Sequence, residues 1–392
     1  MKWRMVLFSA PTLLLILYAH FYLYRRLVLP LSPRKAVRNV LIASSIFAFA
    51  MGFLARFFNT SADPDLLRAL TTAAMIWSGF LLYLLFVTVA LHVGAAARAR
   101  WRRRLGDDTA LPSPERRAIL QHALTAGSVI VAGGLSAYGT MRAFVGPEIT
   151  ETVIALPRLP RTLDGLTIVQ LTDIHVGPLI QRAFLRTLVE KANAARPDLI
   201  VITGDLVDGR VERLAGFVGE LSRLQARFGV HFITGNHDYY SGADAWSAFV
   251  ASLGINVMRN TSAVIGDAGG ALRLLGVDDF SAPRFGEPGY DLDRALVGVR
   301  PREEATVLLA HQPANFDEVA ARGIGLQISG HTHGGQFFPV TLGARAIWGE
   351  RSRGLSRMDA SALYVSRGCG FVGPPFRVDS PPEIAKIVLV CG

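Results

Sequence analysis

Residues 166–175, Leu166-Thr167-Ile168-Val169-Gln170-Leu171-Thr172-Asp173-Ile174-His175, decide the fold, because an apolar run passes directly into an acid and a histidine. Short runs rich in β-branched residues and bounded by turn residues are typical of buried strands. This run predicts a strand over Leu166–Leu171. Later runs of the same kind predict strands at Leu199–Ile202, Val230–Ile233 and Thr306–Ala310.

Four further polar blocks stand after later apolar runs: Gly204-Asp205-Leu206-Val207-Asp208, Gly235-Asn236-His237-Asp238, His311 and Gly330-His331-Thr332-His333. Helices are predicted over Gln181–Ala195, Val211–Arg227 and Ala243–Leu253. Strand, loop and helix in repetition predict an α/β sheet, whose ligand site lies at the carboxyl ends of the strands. All the polar blocks fall at those ends. Glycines 204, 235 and 330 suit sharp turns that leave room for ions.

These blocks together carry the ligands of a metal centre. Mn²⁺ and Fe, or borderline Zn²⁺, prefer a mixed shell of carboxylate, amide oxygen and imidazole, and the blocks hold enough ligands for two such shells. Each block alone also has a structural explanation: Asp173 could cap a helix, residues 204–208 could form a turn, and His311 could be an ordinary histidine. His331 and His333 are harder to dismiss, since alternate residues of an extended segment could reach two neighbouring ions. We therefore expect a two-metal hydrolase.

In these motifs and their order, the chain from about Glu151 to its C-terminus resembles the calcineurin-like metallophosphoesterase family. The resemblance implies an α/β fold, a four-layer α/β/β/α sandwich, with two divalent metal ions (Mn, Fe or Zn). It implies that one ion is bound by Asp173, His175, Asp205 and His333. The other would share Asp205 as a bridge and add Asn236, His311 and His331. The extended motif Gly330–Gln336 is similar to that of the membrane-anchored or exported bacterial branch.

The same resemblance makes His237 the catalytic histidine, with Asp208 orienting it. A carboxylate can bind two ions and lower their mutual repulsion, so Asp205 suits the bridging position. The leaving alkoxide of a phosphoester needs its charge neutralised, and a histidine held by Asp208 could donate a proton or a charge-assisted hydrogen bond to it.

The sequence indicates less about the substrate than about the metal centre. The stretch from Tyr239 to Thr306, with Trp246, Phe280 and Phe285, is expected to form walls near the metals. Three arginines, Arg351, Arg353 and Arg377, follow the last ligand in Gly- and Pro-rich loops. Arginine can clamp phosphate, but a solvated surface is the commoner fate, so we expect none of them in the site.

Residues 1–145 form an all-α transmembrane region of about four helices in our interpretation. Stretches free or nearly free of charge and long enough to cross a bilayer are Met5–Tyr24, Val37–Phe58, Ala69–Val93 and Ala118–Met141. A cleaved signal peptide at the N-terminus fits less well, because further spans follow. Val145–Thr150 is predicted to be a short tether to a phosphoesterase domain at residues 151–392.

Basic residues predict the orientation of these spans. They concentrate in two loops, at residues 25–38 and 98–117. By the positive-inside rule both loops are cytoplasmic, which puts the domain on the periplasmic side of a bacterial inner membrane. Arg116-Arg117 resembles a twin-arginine export signal, or is an ordinary basic start of a helix.

The loops also explain the formal net charge of +10 and the sequence pI of about 10.0. Topology accounts for this charge more economically than nucleic-acid binding, so no nucleic-acid partner is expected. Two cysteines, Cys369 and Cys391, are too few for a disulfide scaffold, although one bridge is conceivable. The expected partners are the lipid bilayer and a phosphorylated lipid or envelope substrate, without an obligatory protein partner.

The leading hypothesis is a membrane-anchored phosphohydrolase acting on phosphodiesters or phosphoanhydrides, with a lipid or cell-envelope substrate. A rival is hydrolysis of a UDP-2,3-diacylglucosamine-type pyrophosphate in lipid A synthesis, as in some members of the family; the predicted topology opposes it, because that substrate is cytoplasmic. A second rival is a membrane sensor or scaffold with a phosphoesterase-like domain. The intact ligand set is the main argument against that reading.

Overall fold

The computed structural model describes residues 18–29, 64–105 and 113–392, together with six single positions between residues 35 and 46. The chain divides into two compact units, Met1–Thr140 and Met141–Gly392. The described part of the first unit is helical, and the second unit contains all the described strands.

Two long apolar helices dominate the described part of the first unit. Helix α1 covers Pro64–Arg104, and α2 covers Pro114–Phe144, whose last residues belong to the second unit. The 41 residues of α1 span about 60 Å, roughly twice the hydrocarbon thickness of a bilayer. A span through α1 therefore leaves its arginine-rich end outside the hydrocarbon.

Both helices contain a segment long and apolar enough to cross a membrane, Arg68–Arg104 in α1 and Ala118–Phe144 in α2. These segments include the third and fourth predicted spans. The first two predicted spans, Met5–Tyr24 and Val37–Phe58, lie largely outside the described residues. The count of four spans therefore stays a prediction.

Twelve strands make up the sheets of the second unit. They are β1 (Glu148–Leu156), β2 (Thr167–Leu171), β3 (Leu199–Thr203), β4 (Val230–Ile233), β5 (Asn256–Val257), β6 (Thr261–Asp267), β7 (Gly270–Gly276), β8 (Thr306–Leu309), β9 (Leu326–Ser329), β10 (Gly354–Met358), β11 (Ser361–Val365) and β12 (Glu383–Cys391). The α-helices among them are α3 (Arg182–Ala194), α4 (Val211–Val218), α5 (Asn236–Ser241), α6 (Ala243–Ser252), α7 (Leu292–Ala295), α8 (Phe316–Ala321) and α9 (Val340–Trp348).

The strands form two mixed six-stranded sheets. The first has the order β1-β12-β2-β3-β4-β5, and only the pairing of β12 with β2 is antiparallel. The second has the order β10-β11-β9-β8-β7-β6, with antiparallel pairs at its two edges. The domain thus has an α/β fold in which the central strands of both sheets are parallel.

Alternation along the strands decides where the apolar side chains pack. In β2, Ile168 belongs to a buried cluster that also contains Val307 and Leu309 of the other sheet. Its neighbour Val169 points the opposite way and packs in a cluster with α3. Since successive side chains of a strand point to opposite faces, one short run supplies two cores.

The predicted strands are confirmed to within one residue at their ends, and β4 has the predicted bounds. The second predicted helix is too long: α4 ends at Val218, and Gly219–Arg223 forms a 3-10 turn. Glycine is a poor helix former, and two glycines, Gly216 and Gly219, stand at this end. The predicted tether is also partly wrong, because β1 begins inside it at Glu148 and pairs in parallel with β12.

Candidate metal centre

The polar blocks meet at one edge of the fold. Asp173 follows β2, Asp205 follows β3 and His311 follows β8, so loops from both sheets contribute. Because central strands in each sheet are parallel, their carboxyl ends lie side by side. The structure brings all nine predicted site residues together there: Asp173, His175, Asp205, Asp208, Asn236, His237, His311, His331 and His333.

The loops that carry these residues continue the pairing of the strands. The backbone N–H of Asp173 donates to the carbonyl of Gly204 at 3.1 Å, and that of His175 donates to the carbonyl of Asp205 at 3.1 Å. The loops after β2 and β3 are therefore held side by side, which brings their side chains to one spot.

Five of the predicted ligands have left-handed backbone conformations. Their φ angles lie between 49° and 72°, at Asp173, His175, Asp205, His331 and His333. Positive φ is uncommon outside glycine and is concentrated at functional sites. The expectation that His331 and His333 lie on an extended segment is wrong, because both are left-handed and His333–Gly335 forms a 3-10 turn.

The three glycines singled out in the sequence serve two purposes. Gly204 has a φ of 87°, as a sharp turn requires. Gly235 and Gly330 instead make room for carboxylates: a Cβ on Gly235 would lie 2.3 Å from Oδ1 of Asp205, and one on Gly330 would lie 2.2 Å from Oδ2 of Asp173. The space these two glycines leave is filled by predicted ligands.

The first ligand cluster contains Asp173, His175 and His333, all buried. Nε2 of His175 lies 3.1 Å from Nε2 of His333, which lies 3.4 Å from Oδ1 of Asp173. Donors bonded to one ion at about 2.1 Å in octahedral geometry stand roughly 3 Å apart. The spacing of these atoms fits one shared cation.

The second cluster contains Asp205, His311 and His331, with Asn236 beside them. Oδ2 of Asp205 lies 3.3 Å from Nε2 of His311, and Oδ1 of Asn236 lies 2.9 Å from Nδ1 of His331. The same Oδ2 is 3.8 Å from Nε2 of His175 in the first cluster. Asp205 thus faces both clusters with one oxygen, while its Oδ1 accepts from the backbone N–H of His237 at 2.7 Å.

Hydrogen bonds around the clusters show that a cation fits. Nδ1 of His311 lies 2.8 Å from the carbonyl of Thr203, which can only accept, so the ring donates there. The lone pair of its neutral form is then on Nε2, a buried atom without a hydrogen-bond partner that faces the carboxylate of Asp205. Two electron-rich atoms face to face require a positive charge between them.

In the metal-free chain, protons supply that charge. Burial lowers the pKa of His311, but the Asp205 carboxylate outweighs burial and raises the pKa well above its usual value. Burial likewise lowers the pKa of His175, yet Asp208, Asp205 and Asp173 raise it to about 9. Burial would raise the pKa of Asp205, but His311, His175 and His237 hold it well below its usual range.

His237 and Asp208 lie at the open side of the site. Nδ1 of His237 is 2.5 Å from Oδ1 of Asp208, and Nδ1 of His175 is 3.3 Å from the same oxygen. Burial raises the pKa of Asp208, but these two histidines lower it below the usual carboxyl range. One ionised carboxylate therefore orients a predicted ligand and the predicted catalytic histidine, and leaves Nε2 of His237 for a substrate.

Aromatic side chains extend outward from His237. The ring of Tyr240 lies 5.1 Å from that of His237, and the ring of Phe285 lies 5.5 Å from that of Tyr240. Both side chains are exposed. Of the residues expected to form walls, Phe285 lies beside the site in this way, but Trp246 is buried and donates to the carbonyl of Gly209 at 2.9 Å.

Arg377 is one of two residues beside the site that sequence reasoning missed. We expected a solvated side chain, yet it is only 1% exposed. Its Nη2 lies 3.0 Å from Nδ1 of His333, and it also donates to the carbonyls of Gly370, His333, Arg367 and Ser380. A guanidinium only donates, so Nδ1 of His333 accepts and the proton of the neutral ring is on Nε2, which faces Asp173. A metal ion bound at Nε2 would have to replace that proton.

The pKa shifts of His333 and Arg377 agree with this contact. Burial and the Arg377 charge hold the pKa of His333 well below its usual value, and burial lowers the pKa of Arg377 to about 10. The other two arginines do not enter the site, as expected. Arg351 donates to Asp317 at 2.6 and 3.1 Å, and Arg353 donates to the carbonyl of Asp379.

Asp238 was also missed. It is buried, and its carboxylate accepts from the backbone N–H groups of Leu206, Val207 and Gly235 at 2.8–3.3 Å. Burial and the neighbouring Asp205 raise the pKa of Asp238 to about 7. This side chain joins the loop after β3 to the start of α5.

The fold and the site together define a dinuclear metal hydrolase of the phosphoesterase class. Residues 166–335 match the family described as "Calcineurin-like phosphoesterase". A "Transmembrane protein with metallophosphoesterase domain" from Danio rerio is 32% identical, and the match covers 98% of this chain and 90% of the relative. An uncharacterised metallophosphoesterase of Helicobacter pylori strain J99 is 34% identical, over 71% of this chain and 73% of its own. The chain therefore belongs to the calcineurin-like metallophosphoesterases.

The protein is thus a metal-dependent phosphoesterase, and its family uses a dinuclear metal centre. All nine predicted site residues lie within the matched range 166–335, whereas Arg377 lies beyond it. The similarity to the Danio rerio protein extends over the two candidate spans as well as the catalytic domain.

Proposed function

We propose that the protein is a membrane-anchored phosphohydrolase that uses two divalent ions (Mn, Fe or Zn) to cleave phosphodiester or phosphoanhydride bonds in a lipid or cell-envelope substrate. The exposed aromatic wall of Tyr240 and Phe285 beside His237 carries this proposal. An apolar wall next to the catalytic histidine favours a substrate with an apolar group close to the scissile phosphate.

Bound divalent ions supply the positive charge that neutralises the phosphate oxygens. The chain's own residues do the rest. Asp173, His175 and His333 would hold one ion and Asn236, His311 and His331 the other, with Asp205 between them. His237, held through Nδ1 by Asp208, presents Nε2 to the leaving oxygen and donates a proton to it.

The membrane placement follows from charge. Arginines gather at the C-terminal end of α1 and recur at Arg116 at the start of α2, so the helix ends that flank their connection are basic. The positive-inside rule places that connection in the cytoplasm. Helix α2 then leads outward, and the catalytic domain faces the periplasm of a bacterium, at an inner membrane crossed several times.

We also infer the four-layer order of helices, sheet, sheet and helices for the domain. Three apolar clusters support it: one packs α3, α4 and α6 on the first sheet, one joins residues of both sheets, and one packs α7 and α8 on the second sheet. In this order the sheets meet face to face and the site lies at their common edge.

Kinetics of the full-length protein on paired substrates test the proposed substrate class. We expect kcat/KM for a long-chain lipid phosphodiester or pyrophosphate to exceed that for its acyl-free headgroup analogue by at least about tenfold, since one buried aromatic contact is worth 1.5–3 kcal/mol. Tyr240→Ala and Phe285→Ala should lower kcat/KM for the lipid and spare the analogue. Equal kcat/KM for both members of each pair, with Mn²⁺, Fe²⁺ or Zn²⁺, would contradict the lipid assignment.

A further inference from the structure

Helix α9, Val340–Trp348, turns an apolar face outward. Leu342 is 57% exposed and Ile347 is 77% exposed, and Val340 is exposed as well. At 100° per residue these three side chains share one side of the helix with Gly343 and Ala346, while Thr341 on the other side is buried. A helix on a water-exposed surface normally has the opposite arrangement, with its polar residues outward.

We propose that this outward face of α9 inserts into the interfacial layer of the bilayer in which the chain is anchored. The inference deepens the proposed function and rests on it for the anchor. Apolar side chains on an exposed helix face next to a bilayer insert into the boundary between headgroups and acyl chains, so the occupant here is a lipid surface.

The chain's own connection brings that surface within reach. Only three residues, Val145–Pro147, separate the end of α2 from β1. Three extended residues span about 10 Å. A domain tethered so closely to the end of a membrane span stays next to the headgroups.

The composition and size of the face favour lipid over protein. Arg345 is exposed and stands at the border of the apolar face, where its guanidinium can reach headgroup phosphates while its methylenes lie along the apolar layer. A helix of nine residues presents a face about 13 Å long and 10 Å wide. That is far less than the roughly 800 Å² that each partner contributes to a stable protein interface.

Insertion of α9 would hold the metal centre at the membrane. The N–H of Thr341 donates to the carbonyl of Phe337 at 3.2 Å, and the ring of Trp348 lies 6.3 Å from the ring of His331. The helix is therefore packed on the loop that carries the two predicted ligands His331 and His333. Helix α9 would then lie between the headgroup layer and the residues that would hold the ions.

A lipid-quenching experiment on the full chain tests the inference. The exposed Cys391 would react with the label, so all variants carry Cys391→Ser. Cys369 is buried, and burial raises the pKa of its thiol to about 12, so this cysteine stays unlabelled. An environment-sensitive fluorophore is attached at Ile347→Cys in phosphatidylethanolamine–phosphatidylglycerol vesicles. The matched control is Val297→Cys, because Val297 is 76% exposed and Ile347 is 77% exposed.

The label at position 347 should emit at shorter wavelength than the label at position 297 and should lose at least half its intensity when the vesicles contain lipids with a nitroxide near the headgroup. The inference would be overturned by water-like emission at position 347 or by equal quenching at both positions. A blue shift at position 347 without quenching by lipid would also overturn it, because a second copy or another protein would then cover the helix. These readings do not depend on hydrolysis, so they separate it from the proposed substrate class.

An activity measurement adds a second criterion. Ile347→Glu places a charge on the inserted face, so it should lower turnover of a vesicle-embedded substrate severalfold. Turnover of a soluble nitrophenyl ester should stay at the wild-type level, and Val297→Glu should change neither. An equal loss on both substrates would show that Ile347 supports the site rather than the membrane contact.

Discussion

At the scale of single residues, the metal centre depends on backbone conformations that most side chains avoid. Each left-handed residue outside glycine costs about 1–3 kcal/mol, and five predicted ligands share this conformation. The hydrogen bonds between the loops after β2 and β3, and the space left by Gly235 and Gly330, keep them there. The side chains thus determine which groups can bind a metal ion, while the conformation of the loops determines where those groups point.

Substitutions of Asp205 and His237 separate metal binding from proton transfer. Asp205→Asn weakens the oxygen that faces both clusters, so metal content and hydrolysis should fall together. His237→Ala should keep both metals while kcat falls by roughly 10²–10⁴, and by less for esters of good leaving groups such as nitrophenolate. Metal analysis and kinetics on two esters check this. Loss of metal in His237→Ala would make that residue a ligand.

Arg377 gives a prediction about one cluster alone. Arg377→Met removes the donor that keeps the His333 proton on Nε2, together with a buried positive charge, so affinity for one of the two ions should rise by about 10–100-fold, with a smaller gain in Arg377→Lys. Chelator competition followed by metal analysis measures it. Arg351→Met is the matched control, since Arg351 pairs with Asp317 at the surface. If Arg377→Met bound both ions with the wild-type affinities, the proposed effect of Arg377 on His333 would be contradicted.

That the nine predicted site residues lie together was predictable, because each polar block directly follows an apolar run and strand ends meet by topology. Arg377 and Asp238 were not. Nothing near Arg377 in the sequence distinguishes it from Arg351 or Arg353, because its burial depends on the carbonyls of four distant or turn-forming residues. The exposed face of α9 was likewise hidden, since its apolar residues fit an ordinary buried helix.

At the scale of elements, local periodicity predicted the strands that precede predicted ligands, but it did not predict the strands at the edges of the sheets. β1 and β12 pair across more than 200 residues, with Glu148 opposite Glu383. No local pattern specifies such a pairing. The predicted helix beyond Val218 is wrong for a related reason: buried Leu221 and Leu224 continue the helical pattern, but Leu221 lies in a 3-10 turn and Leu224 is extended directly after it.

Asp238 is the test of how these elements are joined. Asp238→Ala leaves three backbone N–H groups without their acceptor, so the free energy of unfolding should fall by about 2–4 kcal/mol. Asp293→Ala is the control, because it removes only an exposed ion pair with Arg322, which contributes little to stability. Thermal denaturation of both variants measures the difference. Equal shifts in Tm would show that the junction is not important for stability.

At the scale of the whole molecule, topology decides between the substrate hypotheses. A reporter active only in the periplasm and fused after Gly392 should give signal in a bacterial host, because the basic connection before α2 is retained in the cytoplasm. A fusion active only in the cytoplasm would instead favour a cytoplasmic nucleotide-linked lipid as substrate.

Changing Arg116 and Arg117 to Lys keeps the charge, so altered placement of the catalytic domain in that variant would indicate twin-arginine export.

Stability of the whole domain should depend on pH differently in the metal-free and the metal-bound state. In the metal-free chain the pKa of His175 is raised to about 9, above the value of about 6.5 for an unfolded chain. Its stabilising contribution is complete below pH 6.5 and is lost as pH rises through 9, so the Tm of chelated protein should fall over that interval. Ions need the unprotonated ring, so their affinity rises over the same interval and the Tm gained on adding metal should widen. Melting curves from pH 6.5 to 9 with chelator or Mn²⁺ measure both trends, and His175→Gln should flatten the metal-free trend. A metal-free Tm that rises with pH would show that His175 is not protonated beside Asp208.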